Sequence, residues 1–289
     1  MAIIKTSLPA YVEQDNTLIS KAVLGAKSAN LFTLQTDVKG DTALNLLVTD
    51  VTLQDGSACG FTADGNSTLS QRIINAKPLK VNMEWCEKDL LGIWAQKYVK
   101  ANAQDKELAF EKEFVEGVIA KVNESVEKMI YQGDSSNPGE FDGLNKILAG
   151  AGAVKVTAGA TKWETVKKMY AALPEEAIAD DTVILVSAGD FRGLVQELIA
   201  ANLYHYNEND GAGEIYLPGT NVRVIAVNGL NGTNHMIAGR LSNIFYGTDM
   251  MNDQEKFDLW FSNDNRTFRL AIEFIAGVQV AFPDQIAFL

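Results

Sequence analysis

Histidine and cysteine occur only twice each among the 289 residues. His205 and His235 stand in neither a metal-ligand nor a catalytic-triad spacing, and Cys59 and Cys86 form no zinc-type pair. Long apolar runs are missing as well; none approaches the roughly 20 residues a membrane helix requires. Met1–Lys27 lacks the basic start and apolar block of a secretory signal. The four N-x-S/T triplets at Asn66, Asn123, Asn231 and Asn265 are then chance occurrences. The cysteines read as free thiols of a reducing cytosol, with an intersubunit disulfide as the alternative. Blocks of like charge are absent too. Lys and Arg number 25 against 37 Asp and Glu, and the resulting net charge of −12 is spread along the chain. Such a balance argues against gripping nucleic acid through its phosphates, which takes clustered cations. Gly211-Ala212-Gly213 neither follows a strand nor opens a helix, so it fails as a dinucleotide fingerprint. Glu175-Glu176 and Asp180-Asp181 sit at element ends as ordinary solvated charge. No catalytic constellation, cofactor site or metal site is legible, and the expectation is a protein that is not an enzyme.

What the chain does have is 47% hydrophobic residues, enough for a core in one large or two modest domains. Its organising stretch runs from Lys106 to Leu148. Phe114, Val118, Val122 and Met129, with Val115, Ile119, Val126 and Ile130, recur at three- and four-residue steps along one side of a helix over 106–132. At about 1.5 Å per residue this helix spans roughly 40 Å, the width of a domain. Gly117 in its middle is expected to mark a close backbone approach or a bend. Gly133-Asp134 ends the helix, and Gly139 and Gly143 shape the turn that follows.

Upstream, residues 1–36 show no sustained period and read as an extended arm with one short helical piece over 16–27. Its many apolar residues, Ile3, Ile4, Leu18, Ile19, Val23 and Leu24 among them, suit an arm that packs on something else. Thr42–Ile74 reads as a long two-stranded hairpin whose tip lies near Gln54–Asn66, bracketed by Asp55-Gly56 and Asp64-Gly65 and containing Cys59 and Phe61. A hairpin of this length needs a surface to lie on, either a neighbour's or the chain's own sheet. Met83–Val99 reads as a helix with Trp85, Leu90, Ile93, Trp94 and Tyr98 inward.

Downstream, Thr161-x-x-Glu164 is a capping box opening a helix that Pro174 stops. Thr182–Val186 is an apolar strand, Phe191–Ala201 an amphipathic helix, and Asn207–Gly219 a loop. Short strands follow over 222–227, 235–237 and 244–246. Phe268, Leu270, Ile272, Phe274, Ala276, Val278, Val280 and Phe282 then alternate without a break, opposite Arg269, Glu273 and Gln279. They predict one long strand with a single buried side, a bulge or bend at Gly277, and a stop at Pro283. The mixture is α+β.

A long helix leaving through Gln132-Gly133-Asp134 and then Glu140-Phe141-Asp142-Gly143-Leu144 resembles the spine helix of tailed-bacteriophage major capsid proteins, whose fold encapsulin shells share. Ile184-Leu185-Val186-Ser187 before Asp190-Phe191 is similar to that family's strand-to-helix step. So is the ending, Ser262-Asn263-Asp264-Asn265-Arg266-Thr267-Phe268, the alternating strand, then Ala281-Phe282-Pro283. The resemblance covers essentially the whole chain. It implies an N-terminal arm over 1–36, an E-loop over 37–76, a P-domain over 77–145 and 262–289, and an A-domain over 146–261. It also implies assembly contacts at the E-loop tip (Asp55, Gly56, Cys59, Phe61, Asp64, Gly65) and a capsomer-axis loop at Asn207, Glu208, Asp210 and Gly211.

By the same resemblance the function is structural. The chain would self-assemble as pentamers and hexamers into the icosahedral head around double-stranded DNA, in the host bacterial cytoplasm, and end in the virion. The implied partners are other copies of itself, a portal, decoration proteins and packaged DNA contacted non-specifically, with no membrane. The arm begins almost at Met1, so the expectation is a separate scaffolding protein or none. Some relatives join an E-loop lysine to a neighbour's asparagine. The tip Gln54–Asn66 contains no lysine, so such cross-links are not expected. An encapsulin-like compartment holding protein cargo is the first alternative, and a soluble α+β enzyme the second. The long hairpin and arm favour the phage reading.

Overall fold

The computed structural model describes residues 26–55, 57, 60–61, 64–86, 106–150, 152–203, 213–249, 256–262, 264–265 and 267–289, with the side chains of 106–116, 256–259, 261 and 268 left aside. In chain order the elements are α1 (Lys27–Leu31), β1 (Thr33–Gln35), β2 (Thr42–Asp50), β3 (Asn66–Ile74), β4 (Lys77–Cys86), α2 (Lys106–Gln132), α3 (Leu144–Gly150), β5 (Val154–Lys155) and α4 (Lys162–Ala171). They continue with β6 (Thr182–Ser187), α5 (Ala188–Ala200), β7 (Glu214–Tyr216), β8 (Arg223–Val227), β9 (Ile237–Arg240), β10 (Ile244–Thr248), β11 (Lys256–Ser262), β12 (Thr267–Val280) and β13 (Ala287–Phe288).

The long alternating strand is the spine of the first sheet. β12 pairs antiparallel with β4 along one edge, and with β11 and then β10 along the other; β1 joins β10 in parallel. Leu270, Ile272, Phe274, Ala276, Val278 and Val280 are all buried, as their period of two requires. They share one core with Val118, Val122, Val126 and Ile130 of α2, four residues apart along one stripe of the helix. The same core takes Val183, Leu185, Ile225 and Val227 from the second sheet, ordered β5-β13-β9-β6-β8-β7. The alternate residues Ile184, Val186, Val222 and Val224 face a second core with Val166, Met169, Leu194 and Leu198 of α4 and α5. That is why Thr182–Ser187 is apolar on both faces: it is a central strand covered on each side. After Pro283 the chain leaves the first sheet, and Ala287–Phe288 enters the second between β5 and β9.

Caps follow the sequence. The Thr161 hydroxyl accepts the Glu164 N–H at 3.1 Å, while the Glu164 carboxylate reaches back to the Ala160 N–H at 2.8 Å. Ser187 caps α5 through the Asp190 N–H at 3.0 Å. At the end of α2 the chain doubles back so closely that Gly143 N–H donates to the Gly133 carbonyl at 2.9 Å. A Cβ at Gly143 would lie 2.6 Å from the Tyr131 carbonyl, and one at Gly133 would collide with the Phe141 carbonyl. Lys146 then bridges Asp134 and Asp142, at 2.7 and 2.5 Å.

Four expectations are corrected. Residues 83–86 are strand, not helix: Leu79, Val81, Met83 and Trp85 alternate with Lys80, Asn82 and Glu84, and the ladder to β12 is continuous from Lys77 to Cys86. The remainder of that expected helix, 87–99, lies outside the described residues, as does the helical piece over 16–25. The loop over 207–219 contains β7, which pairs with β8. Gly277 is no bulge; it sits in register opposite Gly247, and a Cβ there would lie 2.9 Å from the Ala76 Cα. Gly117 has open space around it and lies within an uninterrupted helix, so no close approach explains it.

Candidate assembly surface

The hairpin leaves the first sheet as a two-stranded ribbon, β2 against β3 in the register Thr42↔Ile74 to Asp50↔Asn66. Paired residues share a face, so its two sides can be assigned. On the inner side Ile74, Leu44 and Leu46 are buried. Ile74 and Leu44 pack with Val38 and Ala76 in a small core of their own. The glycine pair Gly247 and Gly277 forms the floor of that core: added Cβ atoms would meet Val38, Ile74 and Ala76 at 2.9–3.2 Å. Gln279 fastens the root, donating from Nε2 to the Ile73 carbonyl at 2.6 Å. The second face of β12 is therefore covered at this end, with Gly277 buried and Gln279 8% exposed.

The outer side consists of Ala43, Asn45, Leu47, Thr49, Ser67, Leu69, Gln71 and Ile73. None is charged, in a chain of net charge −12. Leu47 and Leu69 stand opposite each other, 62% and 72% exposed. Their neighbours pair as neutral polar rungs, Gln71 to Asn45 at 2.8 Å and Ser67 to Thr49 at 3.4 Å. Towards the tip, Leu53 is 95% and Phe61 94% exposed.

Of the tip residues expected from the sequence, Asp55 accepts both the Ser57 N–H (3.0 Å) and hydroxyl (2.6 Å), which hold its carboxyl below the usual range. The Gly65 N–H donates to the Asp64 carboxylate at 2.9 Å, and Gly65 takes φ +102°. Gly56 and Cys59 lie outside the described residues. So do Asn207, Glu208, Asp210 and Gly211 of the expected axis loop. Val118 and Val122 are buried in the main core and Met129 is half-buried against it; the Phe114 side chain is not described. Leu47, Leu69 and Ile73 are not among the residues expected from the sequence; Leu47 stands an odd number of residues from Leu44 and Leu46, which on a strand puts it on the opposite face, and that is the available signal.

Among the described residues no cluster of three or more His, Cys, Asp or Glu side chains could hold a metal, and no helix is long and apolar enough to cross a membrane. No protein-family model and no curated protein matches the chain. Solved structures do. A chain of the satellite phage P4 procapsid including the size determination protein superposes with a TM-score of 0.62 at 11% identity, covering 97% of this chain and 94% of that one. A chain of the capsid of an empty GTA particle gives 0.55 at 11%, covering 91% and 90%. The holo-SrpI encapsulin complex of Synechococcus elongatus PCC 7942 gives 0.56 at 11%, covering 90% and 85%. The chain has the α+β fold that phage capsid and encapsulin shells share.

Proposed function

We propose that this chain is a shell-building protein, the major capsid protein of a tailed phage, which assembles as pentamers and hexamers into the head around double-stranded DNA. The observation that carries the reading is the hairpin's uncharged outer face on an otherwise acidic protein, where exposed Leu47, Leu69 and Ile73 stand between neutral polar rungs. Identical subunits of charge −12 repel one another, and contact through a neutral ribbon keeps that repulsion away from the interface. Burying each exposed Leu, Ile or Phe contributes about 1.5–3 kcal/mol, so several per copy are needed to offset the cost of association. The hairpin carries Leu47, Leu53, Phe61, Leu69 and Ile73.

In this reading the arm is 1–36, the E-loop 37–76, the P-domain 77–145 with 262–289, and the A-domain 146–261. The tip residues Asp55, Gly56, Cys59, Phe61, Asp64 and Gly65 meet a neighbour, and 207–211 lies near the capsomer axis. The role is structural, the location the virion, and the partners are further copies, a portal, a scaffolding protein and decoration proteins. An encapsulin-like compartment is the second reading, supported by the likeness to the encapsulin complex; nucleic acid rather than protein inside purified shells decides between them.

The test replaces Gln54–Asn66 with a short Gly-containing turn. The variant should keep the wild-type melting temperature by circular dichroism yet form no shells or capsomers in sedimentation and negative-stain images. Wild-type protein that remains a compact monomer under all conditions would end the proposal.

A further inference from the structure

Among the described residues no carboxylate pairs with the guanidinium of Arg72. It lies on the inner side of the hairpin, opposite Leu44. Nη2 donates to Gln279 Oε1 at 3.3 Å, an oxygen that already accepts the Val280 N–H at 3.0 Å. Nε is buried with no partner. Burial alone lowers the guanidinium pKa, with no carboxylate nearby to counter it. Arg223, Arg240 and Arg269 differ: each faces a carboxylate, at 3.6, 3.0 and 3.1 Å. A partly desolvated cation held by one shared neutral acceptor weakens the isolated subunit. A chain with 37 acidic and 25 basic residues has carboxylates to spare on every copy. On the two strands of the hairpin the other ionisable side chain is Asp50, at the far end of the ladder.

We infer that Arg72 is an intersubunit anchor: the open end of its guanidinium, at the edge of the hairpin root, takes an Asp or Glu carboxylate from a second copy of this chain that covers the outer face and reaches round that edge. The inference rests on the shell-building reading above. Apolar contact along the ribbon is tolerant of sliding and rotation, because dispersion and burial have no direction. A two-pronged guanidinium–carboxylate contact at the root is directional and sets the angle at which the neighbour docks.

The experiment compares wild type, Arg72→Met and Arg72→Lys as purified full chains. Sedimentation over a concentration series at low and high salt reports assembly, and circular-dichroism melting reports the subunit. Arg72→Met should melt at or above the wild-type temperature, need about tenfold more protein to assemble, and lose salt dependence; Arg72→Lys should recover part of the assembly. Arg72→Met assembling at the wild-type concentration would overturn the anchor. A lower melting temperature in Arg72→Met that Arg72→Lys restores would also overturn it, since the guanidinium would then brace its own subunit. Wild type that never assembles removes the shell reading itself, and the anchor with it.

Discussion

Ser28, Glu127 and Tyr131 form a buried polar cluster that no pattern in the sequence announces. Glu127, 5% exposed, accepts the Ser28 N–H at 3.0 Å and its hydroxyl at 2.5 Å, and the Ser28 and Tyr131 hydroxyls lie 2.7 Å apart. Burial raises the Tyr131 hydroxyl well above its ordinary pKa and the nearby Glu127 carboxylate adds to this, so it stays protonated and able to donate. The cluster ties α1 to the C-terminal end of α2. Ser28→Ala removes the hydroxyl shared by both partners and should cost about 1–3 kcal/mol in urea unfolding. An unchanged unfolding midpoint would show that the cluster is not the tie. Asp134 makes a different prediction. Hydrogen bonds from Lys146 and Ser136 lower its pKa from 3.8 to about 2. A depressed carboxyl stabilises the fold at neutral pH, and that contribution disappears as pH falls through about 2. An NMR titration should find the Asp134 carboxyl titrating well below exposed aspartates, and Lys146→Met should move it upward.

At the scale of elements, two glycines of similar appearance in the sequence have opposite consequences. Gly117 meets nothing where a side chain would stand, so Gly117→Ala should stabilise α2 by up to about 1 kcal/mol and raise the melting temperature. Gly277→Ala drives a methyl into the backbone at Ala76 and should cost about 1–3 kcal/mol by prising the hairpin root from the sheet. Thermal melts of both variants check the contrast, and equal shifts would contradict it. The bounds of α2 and the course of β12 were legible because their periods of 3.6 and 2 run unbroken over many residues. The strand over 77–86 was not, because Trp85, Cys86 and the apolar residues after it also suit a helix when viewed alone. Pairing with β12 settles the matter: an edge strand there completes the ladder. β11 has a weaker signal: Phe257, Leu259 and Phe261 alternate with Asp258 and Ser262, but Trp260 interrupts the polar face and the run is short.

For the molecule as a whole, the apolar residues of the core and those exposed on the hairpin are separate sets. Val118→Asp places a carboxylate in the main core, and several kcal/mol of desolvation rivals a domain's whole stability margin. That variant should be insoluble or unfolded in a solubility and circular-dichroism screen, whereas replacing the hairpin tip should spare the subunit; soluble, folded Val118→Asp protein would mean the helix face is not core. The amino-acid order alone determined the long helix, its glycine exit, the hairpin and the final strand, along with the α+β character and the likeness to capsid proteins. Each rests on a local period or on turn chemistry, which neighbouring residues are sufficient to set. The tertiary structure decided the rest: that Gly247 and Gly277 make room for the hairpin root, that the inner face is buried at that root while the outer face stays open and uncharged, and that Arg72 finds no carboxylate among the described residues. Those features depend on which strand lies beside which, and residues some 200 positions apart come together only when the two sheets close around α2.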